Sequence, residues 1–453
     1  MGGMNKRAIK EQSYDTFILG KDKRCIVDTD SKKTQLNNNI MTVGGTGSGK
    51  TRSVLYPILL HGKKSNFVGV FTKTGQTEEI KAVMRKKGYR IYDINFACPE
   101  TSGWGYDPLD YCHTKADYQA LANAVICSEM GKNAKNTPPD PFWNISSTEL
   151  LRIILYAVKK GYYHGHGKGM ADVMDLMSKF HRVPECGVDD TQPDNYPDEK
   201  DRLEDMERKR KRYPVYATLW DIEKFDPEGA AFWYNFMHLI DGTASCIVQC
   251  TMSPFNKVFQ PEIKKLFQKK QRFSFKELLK PKTALFVYIS PVNMAHHALA
   301  GIFYHQLFKE LFELGEKEPT KALPYPVHVL CDDFATGCKV PDFPEMISIF
   351  REKGISATML IQSETQLAYI YGDLEAQTII NNCDTYLYLG GMDGKTCEKI
   401  SKRVNAPLED VCNMPVGAEY FIRRGEKPFR TERYDISKDP VYLNMIANSV
   451  RHV

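Results

Sequence analysis

The sequence Gly44-Gly45-Thr46-Gly47-Ser48-Gly49-Lys50-Thr51 fits the pattern GxxxxGK[ST] at every fixed position. The apolar run Ile40–Val43 precedes it and an apolar helical pattern follows it, so the order is strand, loop, helix, as a phosphate-binding loop requires. Glycines allow successive backbone N–H groups to turn inward as a nest for an anion. In such a loop, Lys50 reaches the β- and γ-phosphates and the Thr51 hydroxyl binds Mg²⁺. The stretch therefore predicts a site for ATP and magnesium.

A second apolar strand ends in two acids. Val327–Cys331 is followed by Asp332 and Asp333. We expect Asp332 to hold Mg²⁺ together with Thr51, and Asp333 to polarise the attacking water. Glutamate often takes the second role, and aspartate is one methylene shorter, so Asp333 reaches less far toward the attacking water.

Two further polar residues flank the next apolar strand, Ala357–Ile361. Gln362 ends that strand, where it can bond the γ-phosphate or orient water. Arg351 lies just before the strand, where a guanidinium at a subunit edge can act as an arginine finger on a neighbour's ATP. The alternatives are a polar strand end for Gln362 and a solvated helix end for Arg351.

Alternation of strands and helices predicts an α/β fold with a largely parallel, buried sheet. Helical patterns such as 77–87 and 298–314 separate many of the predicted strands. The strand-like runs are Ile40–Val43, Phe67–Phe71, Ile91–Ile94, Ala284–Ile289, Val327–Cys331, Ala357–Ile361, Thr385–Leu389 and Glu419–Ile422.

Residues 110–243 interrupt this alternation, because they read as helices with no clear strand. We predict an all-α insertion there, between a first part of the nucleotide-binding domain at 1–109 and a second part at 244–453. Within the insertion, residues 184–214 are polar and close on the basic run Arg208–Arg212. This stretch is either a solvated loop or a cluster that contacts DNA or a partner.

Composition limits the class of protein. The 61 Lys and Arg against 56 Asp and Glu give a net charge of +5, which excludes a histone-like composition but leaves room for a local basic patch. No apolar segment is long enough to span a bilayer.

The strongest candidate for a basic patch that binds DNA lies in 261–282, where Phe267, Phe273 and Phe275 interleave with cations. It is either a surface that binds DNA or a solvated helix with its Phe side chains in the core. The candidate DNA contacts are Lys264, Lys265, Lys269, Lys270 and Arg272.

Several motifs together resemble the cytoplasmic ATPase part of the type IV secretion coupling proteins of the TraG/VirD type. Residues 331–343, CDDFATGCKVPDF, are similar to the family's LDEFANxGxIPDF. Residues 351–363 are similar to its RxxGIxxxxxxQS, and residues 382–391 to its NCDTxxxLGG. The resemblance runs from about Phe17 to Asp435 with the motifs in order.

The resemblance implies a RecA-like P-loop motor with an inserted all-α domain, assembled as a homo-hexameric ring. Such a motor uses ATP and Mg²⁺ to move DNA, without sequence preference, with its bound relaxase into a secretion channel. The family usually carries N-terminal membrane helices that this sequence lacks. Either the sequence is truncated or it relies on a partner for membrane contact. We expect a cytoplasmic protein at the inner face of the membrane, attached through partners.

Other departures keep two alternatives open. Asp333 stands where the family has Glu, and Phe71–Gly75 replaces the family's Asp-Pro-Lys-Gly-Glu turn. One alternative is a nucleotide-switched adaptor that hydrolyses ATP weakly and docks relaxase or effector proteins. The other is a cytosolic DNA pump of the FtsK/HerA type.

Overall fold

The fold is built on a buried sheet, and the glycine-rich loop follows the carboxyl end of one of its interior strands. The computed structural model describes residues 14–72, 77–128, 140–180, 200, 204, 213–334 and 339–444. Its strands are β1 (Thr16–Ile18), β2 (Ile26–Asp28), β3 (Ile40–Val43), β4 (Asn66–Phe71), β5 (Arg90–Asn95), β6 (Thr283–Tyr288), β7 (Val327–Cys331), β8 (Ile355–Ile361), β9 (Thr385–Tyr388), β10 (Ala418–Arg423) and β11 (Phe429–Glu432).

Nine of these strands form one sheet in the order β11-β10-β9-β3-β8-β7-β4-β6-β5. The strands from β9 to β5 in that order are parallel, and β10 and β11 are added antiparallel. The remaining two, β1 and β2, make a separate antiparallel pair. Strands β3, β4, β6, β7 and β8 are buried along their whole length, as expected when helices cover both faces. The prediction of a mostly parallel, buried sheet is confirmed.

Helices fill the connections between the strands. The α-helices are α1 (Ser31–Thr34), α2 (Tyr56–His61), α3 (Thr77–Lys86), α4 (Lys115–Ile126), α5 (Pro141–Lys160), α6 (Met170–Met177), α7 (Pro214–Leu219), α8 (Ile222–Phe225), α9 (Pro227–Met237), α10 (Asp241–Val258), α11 (Lys264–Phe267), α12 (Met294–Lys317), α13 (Phe343–Lys353), α14 (Glu364–Tyr371), α15 (Asp373–Asn381), α16 (Gly394–Val404) and α17 (Leu408–Cys412). A π-helical turn, Thr51–Leu55, leads into α2. Short 3-10 turns occupy Lys23–Cys25, Pro99–Thr101, Pro108–Tyr111, Pro261–Ile263, Phe275–Leu279 and Ile436–Lys438.

Local sequence explains where the main helices begin and end. In α5, Asp140 caps the first turn by accepting from the Phe142 N–H, and Pro141 occupies the first helical position. Gly161 ends α5 in the left-handed region at φ 91°. The long helix α12 is buried over most of its length, so it joins the sheet to the helical part in one continuous core.

The helical stretch between β5 and β6 contains no strand among its described residues, although Gly105 makes a lone parallel bridge to Arg272. Helix α10 crosses the predicted boundary at 243/244, and short helical turns continue to Leu279. The division into domains stays a prediction.

The charged stretch 184–214, with its basic run 208–212, lies outside the described residues except at 200, 204, 213 and 214. Residues 73–75 of the Phe71–Gly75 turn also lie outside them. None of the helices that the structure describes has the length and apolar character needed to cross a bilayer.

Candidate functional site: a phosphate-binding loop and its acids

The glycine-rich loop follows β3 and is tied to both neighbouring strands. The Gly44 N–H donates to the Ile361 carbonyl at the end of β8, at 3.1 Å. The Gly45 N–H donates to the Gly390 carbonyl just after β9, at 2.8 Å. Gly47 and Gly49 have φ angles of 79° and 87°, a region that glycine enters without steric cost. The sequence therefore supplies the flexibility, and the two neighbouring strands fix the loop.

Lys50 points back into this loop. Its Nζ donates to the Gly44 carbonyl at 2.5 Å and to the Gly45 carbonyl at 3.2 Å. The side chain is buried, and burial lowers the pKa of Lys50, while the nearby Asp333 and Asp332 oppose that shift. The loop thus holds a cation beside its own backbone.

The acids at the end of β7 reach the start of the loop's helix. Thr51 Oγ1 donates to Asp332 Oδ1 at 2.9 Å, although the two residues are 281 positions apart. Mg²⁺ prefers oxygen ligands such as hydroxyl and carboxylate groups, so Thr51 and Asp332 fit the predicted role of metal ligands. The hydroxyl of Thr72, at the end of β4, lies 3.5 Å from Asp332 Oδ2 and 3.4 Å from Asp333 Oδ2. Sequence reasoning did not identify Thr72, because only the pairing of β4 with β7 brings it to the acids.

The backbone changes direction at Asp333, just after β7 ends. Its φ of 53° places it in the left-handed region, which aspartate tolerates better than most residues. Its carboxylate nevertheless stays on the same side as Asp332, as the shared contact with Thr72 shows.

Gln362 and Arg351 lie at opposite ends of β8. Gln362 follows β8 between the loop strand β3 and the acid strand β7, and its side chain is exposed. Arg351 lies in α13, before β8 begins, and its Nη2 donates to the Ser31 carbonyl at 3.2 Å and to Gln35 Oε1 at 3.4 Å. The structure therefore brings Gln362 near the site and keeps Arg351 away from the loop of its own chain.

A second residue that sequence reasoning missed is Arg433. It directly follows β11, and its Nη1 donates to the carbonyl of Ser48 in the loop. The two residues are 385 positions apart. No local pattern marks this arginine, since it is one cation in a polar stretch that the antiparallel β10–β11 pair folds back onto the loop.

The predicted DNA contacts are mostly engaged within the chain. Lys264 pairs with Asp175 at 2.5 Å, Lys265 pairs with Glu100, and Lys269 donates to the Ser102 carbonyl. Arg272 pairs with Asp107 at 2.9 Å and with Asp110 at 3.1 Å. Lys270 is exposed and makes no ion pair with a described residue.

The three interleaved phenylalanines belong to the core. Phe267, Phe273 and Phe275 are at most 3% exposed, so the suggestion that they stack on bases is wrong in this conformation. They were expected either to face DNA or to pack inward. They pack inward because burial of an aromatic ring outweighs the polar pattern around it.

Comparison with known proteins identifies the family. The family described as type IV secretory system conjugative DNA transfer matches residues 2–406. No curated protein matches the chain significantly.

Solved structures show the same fold. The plasmid coupling protein TrwB, in complex with the ATP analogue ADPNP, is 17% identical with a TM-score of 0.58, covering 87% of this chain and 84% of that chain. TrwB in complex with ADP and Mg²⁺ is 17% identical with a TM-score of 0.58, and the match covers 89% of this chain and 87% of that chain. VirB4 of Thermoanaerobacter pseudethanolicus is 14% identical with a TM-score of 0.51, and the match covers 98% of this chain and 100% of that chain. The predicted RecA-like P-loop fold is confirmed. With a family match over most of its length, the chain belongs to the type IV secretory system family of conjugative DNA transfer proteins.

Proposed function

We propose that the chain is an ATP-hydrolysing coupling protein that moves DNA, with its bound relaxase, into a type IV secretion channel. The observation that carries the proposal is the contact of Thr51 with Asp332 beside Lys50 and Asp333. A phosphate loop without such an acid can bind an anion, but it lacks the second metal-binding group of an NTPase. The family and the nucleotide complexes of TrwB support the same conclusion.

Each residue of the site has a separate task in this proposal. The backbone N–H groups of 44–51 bind the phosphates, and Lys50 balances their charge. Thr51 and Asp332 would hold Mg²⁺, which when bound neutralises charge on the phosphate oxygens. Asp333 accepts a hydrogen bond from the attacking water and orients it, and Gln362 faces the terminal phosphate.

Arg351 acts, in this proposal, on the nucleotide of a neighbouring copy in a homo-hexamer. Its position at the amino end of β8, away from the loop of its own chain, supports action in trans rather than on its own nucleotide. A guanidinium supplied by a neighbour stabilises the charge of the transition state. It also makes turnover depend on assembly.

DNA contact in this proposal rests on phosphate attraction without base readout. Lys270 is the strongest of the five candidates, since Lys264, Lys265, Lys269 and Arg272 are engaged internally. Membrane contact is proposed to come through the channel proteins, at the inner face of the membrane.

Steady-state ATPase assays with no DNA, single-stranded DNA and double-stranded DNA test the proposal. We expect hydrolysis that DNA stimulates, with Lys50→Ala as the inactive control. Turnover no greater than that of Lys50→Ala under all three conditions would refute the motor.

A second candidate function follows from Asp333. Its shorter side chain, held beside Thr72, favours a nucleotide-switched adaptor that binds ATP and turns it over slowly. Asp333→Glu separates the two candidates. A large gain in kcat would indicate that the natural chain is an adaptor, and an unchanged or lower kcat would indicate that Asp333 serves the motor as it stands.

A further inference from the structure

We infer that Arg433 is a positioning residue of the phosphate-binding loop, an inference that rests on the nucleotide binding proposed above. The Arg433 guanidinium donates to the Ser48 carbonyl through Nη1. It also packs on Gly49, where an added Cβ would lie 2.5 Å from Nη1 and 3.0 Å from Cζ. Position 49 therefore requires glycine for two reasons: its φ is positive, and the Arg433 side chain lies where a Cβ would be.

The bond acts on one peptide group of the loop. The Ser48 carbonyl and the Gly49 N–H belong to the same planar, trans peptide, so they point in opposite directions. Fixing the carbonyl on the Arg433 side directs the N–H to the other side, where an anion nest presents its donors. A cationic donor on the carbonyl also polarises the peptide and makes its N–H a stronger donor.

Two features hold Arg433 in place. Its own N–H donates to the Gly417 carbonyl at 2.9 Å, which fixes the backbone where β11 ends. Its charge also lies near Glu419 on β10, whose carboxylate is fully buried and has no hydrogen-bond partner among the described residues. Burial raises the pKa of Glu419 well above its usual range, and the Arg433 charge opposes that shift.

The Glu419 carboxylate is closed off from the other side by Gly20. A Cβ at Gly20 would overlap Glu419 Oε1 and lie 2.8 Å from Cys25 Sγ. The absence of a side chain at Gly20 therefore leaves the space that the acid occupies, and the charge that acts on the acid is that of Arg433. Displacing the guanidinium into solvent would remove the nearby charge that opposes the raised pKa of this buried acid.

Titration calorimetry with two ligands tests the inference. The ligands are Mg·ADP and Mg·pyrophosphate, the second of which has no base or ribose. The variants are Arg433→Ala, Arg433→Gln and Arg433→Lys. Arg430→Ala is the matched control, because Arg430 is exposed on β11, the strand that Arg433 directly follows. The melting temperature of each variant shows whether it is folded.

For Arg433→Ala and Arg433→Gln, we expect Kd to rise about tenfold for both ligands, the size expected for loss of a charged hydrogen bond. KM for ATP should rise to a similar extent, while kcat stays within about threefold. Arg433→Lys should recover part of the affinity, and Arg430→Ala should bind as the natural chain does.

Three results are decisive. If Arg433→Gln is folded and binds both ligands as the natural chain does, the inference is wrong and the proposed function stands. If ADP binds more weakly but pyrophosphate does not, Arg433 contacts the nucleoside and the loop role is wrong. If the natural chain binds neither ligand, the proposed nucleotide binding itself fails, and this inference fails with it.

Discussion

At the scale of single residues, Thr72 connects the end of β4 to both acids of the site. Its hydroxyl lies 3.5 Å from an Asp332 oxygen and 3.4 Å from an Asp333 oxygen, and such long hydrogen bonds in a site without ligand can tighten when substrate binds. We expect Thr72→Ala to lower kcat about tenfold with little change in the Kd of ADP, because it positions groups that act in the chemical step. Stopped-flow binding and steady-state turnover measure the two effects. Thr72→Ser keeps the hydroxyl and should restore kcat, and failure of this rescue would contradict the role.

His328 is a buried base in the central strand β7. Its ring hydrogen-bonds to Ser356 Oγ at 2.6 Å and to Thr358 Oγ1 at 2.8 Å, and its centroid lies 4.6 Å from that of Phe17, with the two rings tilted by 55°. Burial lowers the pKa of His328 from 6.5 to about 3. Between these values the unfolded chain binds a proton that the folded chain does not, so the contribution of His328 to stability is present above pH 6.5 and falls as the pH drops toward 3.

This linkage predicts a loss of up to about 1.4 kcal/mol per pH unit from His328 alone. Urea unfolding of the natural chain and of His328→Gln between pH 7 and pH 5 measures it. The variant should lose stability less steeply than the natural chain. His166→Gln, at an exposed position, is the control and should keep the natural slope. Parallel slopes for the natural chain and His328→Gln would contradict the prediction.

At the scale of elements, α12 joins the sheet to the helical stretch through one aromatic residue in particular. Phe303 is fully buried, and its ring lies within 6.2 Å of those of Phe96, Tyr106 and Phe275. We expect Phe303→Ala to lower the free energy of unfolding by about 3–5 kcal/mol, because it leaves a cavity between the two parts. Chemical denaturation measures the loss. Phe142→Ala removes a ring that is 42% exposed and should cost under about 1 kcal/mol; equal losses for the two variants would contradict the assignment.

The strands were predictable because their sequences are continuous apolar runs, and each predicted run overlaps an observed strand. Strand β11 was not predictable, because Phe429–Glu432 is short and mostly polar and lies at the sheet edge. Strands β1 and β2 are mostly apolar, but they have only three residues each, which is too short for a clear pattern. Edge strands need only one apolar face, so their local signal is weak.

The site was predictable where its residues form one contiguous motif, as in Gly44–Thr51, or follow an apolar strand, as Asp332 does. It was not predictable where the order of the strands in the sheet decides which residues meet. Thr72 reaches the acids only because β4 lies beside β7, and Arg433 reaches the loop only because β11 folds back through β10. A sequence pattern records neighbours along the chain, and these contacts join residues hundreds of positions apart.

At the scale of the whole molecule, the position of Arg351 predicts complementation between defective chains. Arg351→Ala should bind nucleotide but hydrolyse it slowly, whereas Lys50→Ala keeps its arginine but lacks a working loop. Mixing the two should restore part of the ATPase activity, because an intact loop then meets an intact arginine in some pairs of copies. ATPase activity against mixing ratio measures this. Activity that is only the sum of the two separate chains would contradict action in trans.

The bond between Arg433 and Ser48 also has a consequence during synthesis. The loop leaves the ribosome early, but the arginine that fixes it is made 385 residues later. At roughly 5–20 residues per second, the delay is about 20 to 80 seconds. Throughout that time the growing chain exposes a glycine-rich loop without its fixing arginine. Nucleotide should therefore bind tightly only to a chain that has been translated past β11.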